Sequence, residues 1–525
     1  MTVEIELKLA LPPIQAALLK RHPLLAGVGR PVRRRLVSVY FDTPELDLMR
    51  AQAALRVRRV GRGWIQTVKI GGGSAGGLHQ RPEWETPTRS EAPEPGRFVA
   101  PEVRGLLTPA RLARLRPVFE THFWRDAWTL PVVGGGSIEV ALDQGEVSGG
   151  GRSQPICEVE LELKSGQPAA LYDLALDLTA DFDLYPDPLS KAERGYALFR
   201  NLHGEPVKAG PAGLKPEMHV ADAFVVVMQN GLEQFTANLA GLLHETDPEY
   251  LHQARVAVRR LRSALTVFAP ALPDPALAPL REALRWLMSE LGPARDWDVF
   301  VTETLPPLMR AMPDQPLQSL ARTAQLRREA ARAAMIAAVS SRRLTRLLLE
   351  AGRMLLLRPW EQAMERIGSA WQGSPATALA ESVLDRRQRQ LLRRGRHFVR
   401  LDPPARHRLR IATKKQRYAA EFFAELYPPK AARAYIKNLA ALQDNLGALN
   451  DIAVAGRLLS NLRSRGAVNR AWACGVVQGW VVSRAQAKIA ELEPAWRRMK
   501  KTRPYWQKPI RGSKVSGFNP VTRKR

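Results

Sequence analysis

The feature that most restricts the fold of this 525-residue chain is a set of short segments with a full charge at every second position. The first reads VEIELKLAL, in which Glu4, Glu6 and Lys8 alternate with Val3, Ile5, Leu7 and Leu9. Successive side chains of a strand point to opposite faces, so the three charges share one face and the aliphatic residues the other. The same spacing groups Arg56 with Arg58 in LRVRRV, sets Lys69 in IQTVKI, aligns Arg81, Glu83 and Glu85 in QRPEWET, and lines up Glu158, Glu160 and Glu162 in ICEVELELKS. A face turned to bulk water tolerates Ser, Thr, Asn and Gln, whereas these faces carry almost only ionised groups, with an all-basic row in LRVRRV and an all-acidic one in CEVELE. Two arrangements fit. One is a half-solvated sandwich edge; the other is a barrel with its apolar face outward under helices and both signs of charge collected in its lumen. Charges in such a lumen must pair with each other, with metal or with a charged ligand.

A chain of this length exceeds one compact core, so two or three domains are expected. With 45% hydrophobic and 25% charged residues it has the balance of a soluble globular protein. No apolar run approaches the ~18 residues of a membrane span. The sequence begins directly on the alternating strand, without the basic start and apolar core of a secretory leader, which makes the cytoplasm the expected compartment. Cys157 and Cys474 are too few and too far apart for a disulfide framework or a thiolate metal site.

Charge divides the chain. Residues 1–205 hold 26 Lys and Arg against 25 Asp and Glu, leaving 53 against 26 beyond them. That excess draws polyanions by long-range attraction and counterion release. Texture changes at the same place, from alternating runs and Gly clusters such as GGGSAGG to long Ala-, Leu- and Arg-rich stretches of helical period. The expected organisation is a β-rich domain over 1–203, a Gly/Pro-rich linker over 204–216, an all-α domain over 217–500 and a basic disordered tail over 501–525.

The helical part repeats itself. HQARVAVRRLRSALTVF from His252 matches HRLRIATKKQRYAAEFF from His407, pairing Arg255 with Arg410, Arg262 with Arg417 and Phe268 with Phe423. At the same offset, LGPARDWDV from Leu291 matches LGALNDIAV from Leu446, so the helical unit is duplicated. Helical geometry gathers His252, Arg255, Arg259 and Arg262 into one stripe, and His407, Arg410, Lys414 and Arg417 into its counterpart. The ordinary alternatives are a solvated face and, for each histidine, a hydrogen-bonded core or cap position. Duplication and the near absence of acidic partners four residues away weigh against them. Gly292 and Gly447 read as helix ends, and Asp296 and Asp451 as buttresses of basic residues or caps. Asn450 and Ala453 stand where the first unit has Arg295 and Asp298, so the two halves need not bind equally.

Nine segments in order, EIELK, YFDT, LRVRR, TVK, RPEWE, FWRDAW, VALDQGEV, CEVELELKSG and SKAERGY, resemble the motif series of the CYTH domain, the triphosphate tunnel metalloenzymes. The paired basic stripes, with KKQRY, RWLMSELGPARDWDVF and LQDNLGALNDIAV, resemble the CHAD domain, a helical domain that binds inorganic polyphosphate. The combination is similar to bacterial CYTH-CHAD inorganic triphosphatases. It implies an eight-stranded antiparallel β tunnel (α+β) followed by a duplicated all-α bundle. By this resemblance Lys8, Arg56, Arg58, Lys69, Arg81, Arg125, Lys191 and Arg194 grip a triphosphate, and Glu4 and Glu6 join them in the catalytic set. Glu4, Glu6, Glu158, Glu160 and Glu162 hold Mg²⁺ or Mn²⁺, for which hard carboxylate oxygens are suited. Glu83, Glu85 and Asp143 are candidates for locking the basic side chains instead. Polyphosphate falls to His252, Arg255, Arg259, Arg260, Arg262, His407, Arg410, Lys414, Lys415 and Arg417.

The implied activity is metal-dependent hydrolysis of tripolyphosphate to pyrophosphate and phosphate. The alternatives are a related tunnel enzyme acting on thiamine triphosphate or ATP, and a non-catalytic polyphosphate-binding protein, associated with polyphosphate or storage granules. Nucleic acid is a weaker partner for the basic half, because no base-reading or aromatic stacking motif accompanies it.

Overall fold

The computed structural model describes residues 2–507 apart from 72, 76–77, 133, 188, 202–203, 273 and 463–467. Among these, ten strands form one antiparallel sheet: β1 (Thr2–Ala10), β2 (Val32–Asp42), β3 (Ala53–Val60), β4 (Gly63–Ile70), β5 (Gly73–Ala75), β6 (Leu78–Thr88), β7 (Arg116–Pro131), β8 (Ser137–Gly149), β9 (Arg152–Ser165) and β10 (Tyr185–Pro186). Because β1 pairs with both β9 and β6, eight of them close in the order β1-β9-β8-β7-β2-β3-β4-β6. The short β5 and β10 add to β6 and β1 outside the ring. Closure excludes the sandwich edge.

The alternation decides which face turns inward. Leu7, Leu9, Val140, Leu142, Val159 and Leu161 form an outer core with Leu171, Tyr172, Ala175 and Leu178 of helix α1 (Ala169–Asp181). Leu55, Val57 and Val68 are likewise covered by Phe98, Val103 and Leu107 of the β6–β7 connection. The charged face is left to the lumen, where the register sets Glu4 opposite Arg81, Lys8 opposite Glu160, Lys69 opposite Glu83 and Arg125 opposite Asp143. Opposite charges at facing positions attract across the ladder.

Helix α2 (Lys191–Phe199) leads a further charged row to the lumen. Ser190 and Glu193 cap its start reciprocally, and Gly195 lets it lie against Phe119, whose ring a Cβ would approach within 2.0 Å.

The helical domain comprises α3 (Val220–Ala237), α4 (Pro248–Phe268), α5 (Asp274–Val299), α6 (Gln315–Val339), α7 (Arg342–Leu357), α8 (Ala376–Arg394), α9 (Pro403–Phe422), α10 (Pro429–Leu462), α11 (Val468–Ala490) and α12 (Leu492–Lys501), with shorter turns between them. The duplicated α4 and α9 meet in its core, where Phe268 and Phe423 pack with centroids 5.8 Å apart. Gly292 and Gly447 do not end helices as the sequence reading had it; both lie inside α5 and α10. Gly292 faces the Arg255 guanidinium, whose Nη1 a Cβ there would meet at an ordinary contact distance of 3.4 Å.

The segment read as a linker is strapped to the helical domain. Glu425 accepts from the amides of Ala212, Gly213 and Leu214 at 2.7–2.8 Å, and the Val207 amide donates to Asn238 at 2.9 Å. The fold also continues past residue 500: Tyr505 and Trp506 are buried against Tyr435. The rest of the expected basic tail, 508–525, lies outside the described residues.

Candidate active site and basic helical surface

The lumen contains a cavity of about 350 Å³ lined by Glu4, Glu6, Lys8, Arg56, Arg58, Lys69, Arg81, Arg125, Glu160 and Lys191, all residues expected there from the sequence. Tyr40, Thr67, Ser190, Glu193 and Tyr196 line it as well. Four of these are uncharged, and Glu193 sits in a helix start where strand alternation assigns no face, although the strand period of YFDT and TVK puts Tyr40 and Thr67 on definable faces. A second cavity of about 420 Å³ shares Arg58, Thr67 and Arg125 with the first and adds Arg34, Glu85 and Glu139.

Inside the wall the charges compensate one another. Lys191 donates to Asp143 at 2.7 Å, to Glu160 at 2.9 Å and to Glu158. Arg125 grips Asp143 with two bonds of 2.7 and 2.6 Å and also reaches Glu160. Asp143 therefore locks basic side chains. Glu83 pairs with Arg56 at 3.2 Å and with Lys69 at 3.3 Å, and Glu85 lies 3.6 Å from Arg56. Glu4 is bonded to Lys69, and Glu6 lies 3.2 Å from Lys8. Arg194 and Glu158 are bonded to each other behind the cavity lining rather than in it. Glu162 also stands apart from the lining and pairs with Lys164 at 2.7 Å.

Burial alone would neutralise such groups, and the neighbours reverse it. Burial pushes the Glu160 carboxyl up, but Lys191, Lys8 and Arg125 together hold it well below the usual carboxylate range. Burial likewise opposes the charge on Lys8, which Glu6 and Glu160 restore. The Tyr40 phenol, raised by burial, is brought below its ordinary value by Arg56, Arg58 and Lys69. Arg58 goes the other way: burial, then Arg56 and Arg125, pull it down to about 10. The carboxyl of Glu162 is pushed up by burial, with Glu4 and Glu139 adding to the effect.

Asp143, Glu158 and Glu160 offer carboxylate oxygens within 4.8 Å of one another, all buried, an oxygen donor set that suits a hard divalent cation. Asp143 was not among the ligands expected from the sequence.

On the helical domain the two basic stripes converge. Burial and the neighbouring Arg259, Arg410, Arg255 and Arg262 pull the Lys414 ammonium down to about 8. Burial, with Arg259 and Arg295 nearby, lowers Arg255 to about 10. Among the described residues, Nε and Nη1 of Arg255, Nε of Arg259 and Nε of Arg410 are buried without a hydrogen-bond partner. His252 lies beside Arg295 and Arg259. Other members of the expected set are spent elsewhere. Arg260 donates to Asn230 at 3.1 Å and covers the Phe422 ring, and Arg417 pairs with Glu421 at 3.0 Å, an acidic partner four residues on. Lys415 and His407 are exposed. Asp296 buttresses Arg457 at 2.6 Å, and Asp298, buried, holds Arg328 at 2.6 Å.

Family models match residues 2–196 as CYTH domain and residues 226–460 as CHAD domain. This chain is a CYTH domain followed by a CHAD domain. An inorganic triphosphatase of Haemophilus influenzae is 36% identical over 201 residues, 38% of this chain and 55% of that protein, so the match spans about half the length of this curated relative. The CHAD domain from the plant Ricinus communis is 34% identical, covers 57% of this chain and 98% of its own, and superposes with a TM-score of 0.50. The CYTH match thus covers the closed tunnel and the CHAD match both basic stripes. Among the described residues no helix is long and apolar enough to cross a membrane.

Proposed function

We propose that this protein is a metal-dependent inorganic triphosphatase that hydrolyses tripolyphosphate to pyrophosphate and phosphate, with a CHAD domain that binds inorganic polyphosphate. The observation that carries it is the convergence of Lys8, Arg56, Arg58, Lys69, Arg81, Arg125 and Lys191 with Glu4, Glu6 and Glu160 on one 350 Å³ cavity. Its size is that of a small-ligand site. The Haemophilus influenzae inorganic triphosphatase, similar over the CYTH domain, supports the reading.

Guanidinium groups bind phosphate oxygens bidentately, so Arg56, Arg58, Arg81 and Arg125 fix the chain while Lys8, Lys69 and Lys191 supply compact charge. Of the expected ligands Glu4, Glu6 and Glu160 face the cavity, and Glu158 and Asp143 stand within reach of Glu160, an oxygen donor set that suits Mg²⁺ or Mn²⁺, whereas Glu162 is paired with Lys164 outside the lining. A bound divalent cation would neutralise phosphate charge and lower the pKa of water. The cations of the wall also stabilise the charge that grows on the leaving pyrophosphate. Ligand entry has to exchange internal ion pairs for phosphate contacts, and a highly charged triphosphate can do so. Arg194 holds Glu158 in place.

Phosphate release from tripolyphosphate, ATP and thiamine triphosphate, with Mg²⁺ or Mn²⁺ and with excess EDTA, tests the activity. Tripolyphosphate is expected to be preferred, EDTA to abolish release and the E4Q/E6Q variant to lose at least about a hundredfold. Equal rates in the variant, or release unaffected by EDTA, would sink the proposal. For the CHAD domain, polyphosphate and duplex DNA are to compete for the full-length E4Q/E6Q chain at physiological salt. Polyphosphate should win, and equal binding would refute that assignment.

A further inference from the structure

We propose that Thr345 and Arg342, on helix α7 of the CHAD domain, are positioning residues for the triphosphate site, acting through the segment Leu184–Asp187. The inference rests on the triphosphatase reading of the tunnel.

Thr345 is buried, and its hydroxyl donates to the carbonyl of Leu184 at 2.5 Å. One turn earlier Arg342 donates to Asp183 Oδ1 at 2.7 Å, to the Asp181 carbonyl at 3.0 Å and to the Ala180 carbonyl. These carbonyls end α1, where a cation is favoured. On its other side the segment meets the strand that carries the site. Tyr185 and Pro186 pair with Ala10 and Leu9, and the Asp187 amide donates to the Lys8 carbonyl at 3.1 Å. The Asp187 carboxylate lies 3.5 Å from Arg194, whose guanidinium is bonded to Glu158.

A strand of two residues cannot fix its own register. Apolar packing against α7 is non-directional, whereas the bonds from Thr345 and Arg342 set depth and lateral position. Loosening them frees Asp187, and with it the Lys8 backbone and the Arg194 guanidinium. A hydroxyl on one domain thereby places two cations of the other.

The test uses the full chain in five forms: wild type, T345V, T345S, and both D187N and D187N/T345V for a coupling cycle. Tripolyphosphate turnover and hydrogen exchange of the 182–187 backbone are read together. T345V is expected to lower kcat/KM about tenfold and to speed that exchange, and T345S to retain both. In the D187N background T345V should add less than it costs alone, because the branch through Arg194 is already cut while the Asp187 amide still meets the Lys8 carbonyl. Wild-type kinetics in T345V, equal loss in T345S, or full additivity with D187N would each overturn the proposal. Should T345V not fold, R342Q with the same readouts decides it in the same way. A wild type that neither binds nor hydrolyses tripolyphosphate overturns the reading of the tunnel itself, and this inference with it.

Discussion

Lys191 is the residue on which the ligand-free tunnel most depends. Burial opposes its charge, yet Asp143 and Glu160 raise its pKa above the ordinary lysine value. K191M removes the cation shared by three buried carboxylates and should cost about 3–5 kcal/mol in denaturant unfolding, because breaking a buried ion pair strands its partners. Adding D143N should recover part of that loss. Two groups of the barrel contribute to the acid limb. Burial, then Lys8 and Arg81, push the His79 imidazole down to about 3. A base with a depressed folded pKa is neutral in the fold and charged when unfolded, so stability is present above pH ~6.5 and lost as pH falls below it, by up to ~1.4 kcal/mol per unit. Glu160, held low, contributes stability above its unfolded value of ~4.3 that is lost only below it. Between pH 6.5 and 4.5 the wild type should therefore lose stability more steeply than H79Q. His252, also held low, stays in the variant and leaves a residual slope. At this scale the ionised residues were legible because strand period alone assigns their face. Tyr40, Thr67 and Ser190 were not, since a lone neutral residue on that face signals nothing until its neighbours are known.

The elements were legible to different degrees. Alternation announced the strands and gathered their charges on one face, leaving open whether that face turned inward until the ring was seen to close, and the offset repeat announced the helical duplication. Helix interiors were less transparent: Gly292 looks like a terminator in sequence, but it lies inside α5. The converging basic stripes yield a test. Lys414, at about 8, is half-titrated in mildly alkaline solution. A polyanion favours its charged form, so binding should take up a proton near pH 8 and weaken as pH rises through 8. Calorimetry with polyphosphate on the E4Q/E6Q chain in buffers of different ionisation heat should show that uptake. K414R, charged throughout, should abolish it and keep its affinity at pH 9.

At the scale of the whole molecule the two domains share a core. Leu349 of α7 is buried among the outer residues of the barrel, Arg353 pairs with Asp173 at 2.6 Å, and Gly352 admits Tyr172, whose Oη a Cβ would approach within 2.5 Å. L349A should cost about 2–5 kcal/mol; in calorimetry the wild type is expected to unfold in a single transition, and G352V to separate the melting of tunnel and bundle. None of this was readable beforehand. RRLTRLLLEAGRMLLL has one apolar stripe whether it packs on its own bundle or on a neighbouring barrel, and a Gly/Pro-rich connection implies freedom unless a distant Glu425 is seen to pin it. The mutual pairing of the lumen charges has its own consequence. The tunnel behaves as an ion-exchange resin whose counterions are covalently tethered: a guest is admitted by outbidding resident carboxylates, so anions of low charge density are turned away without any steric gate.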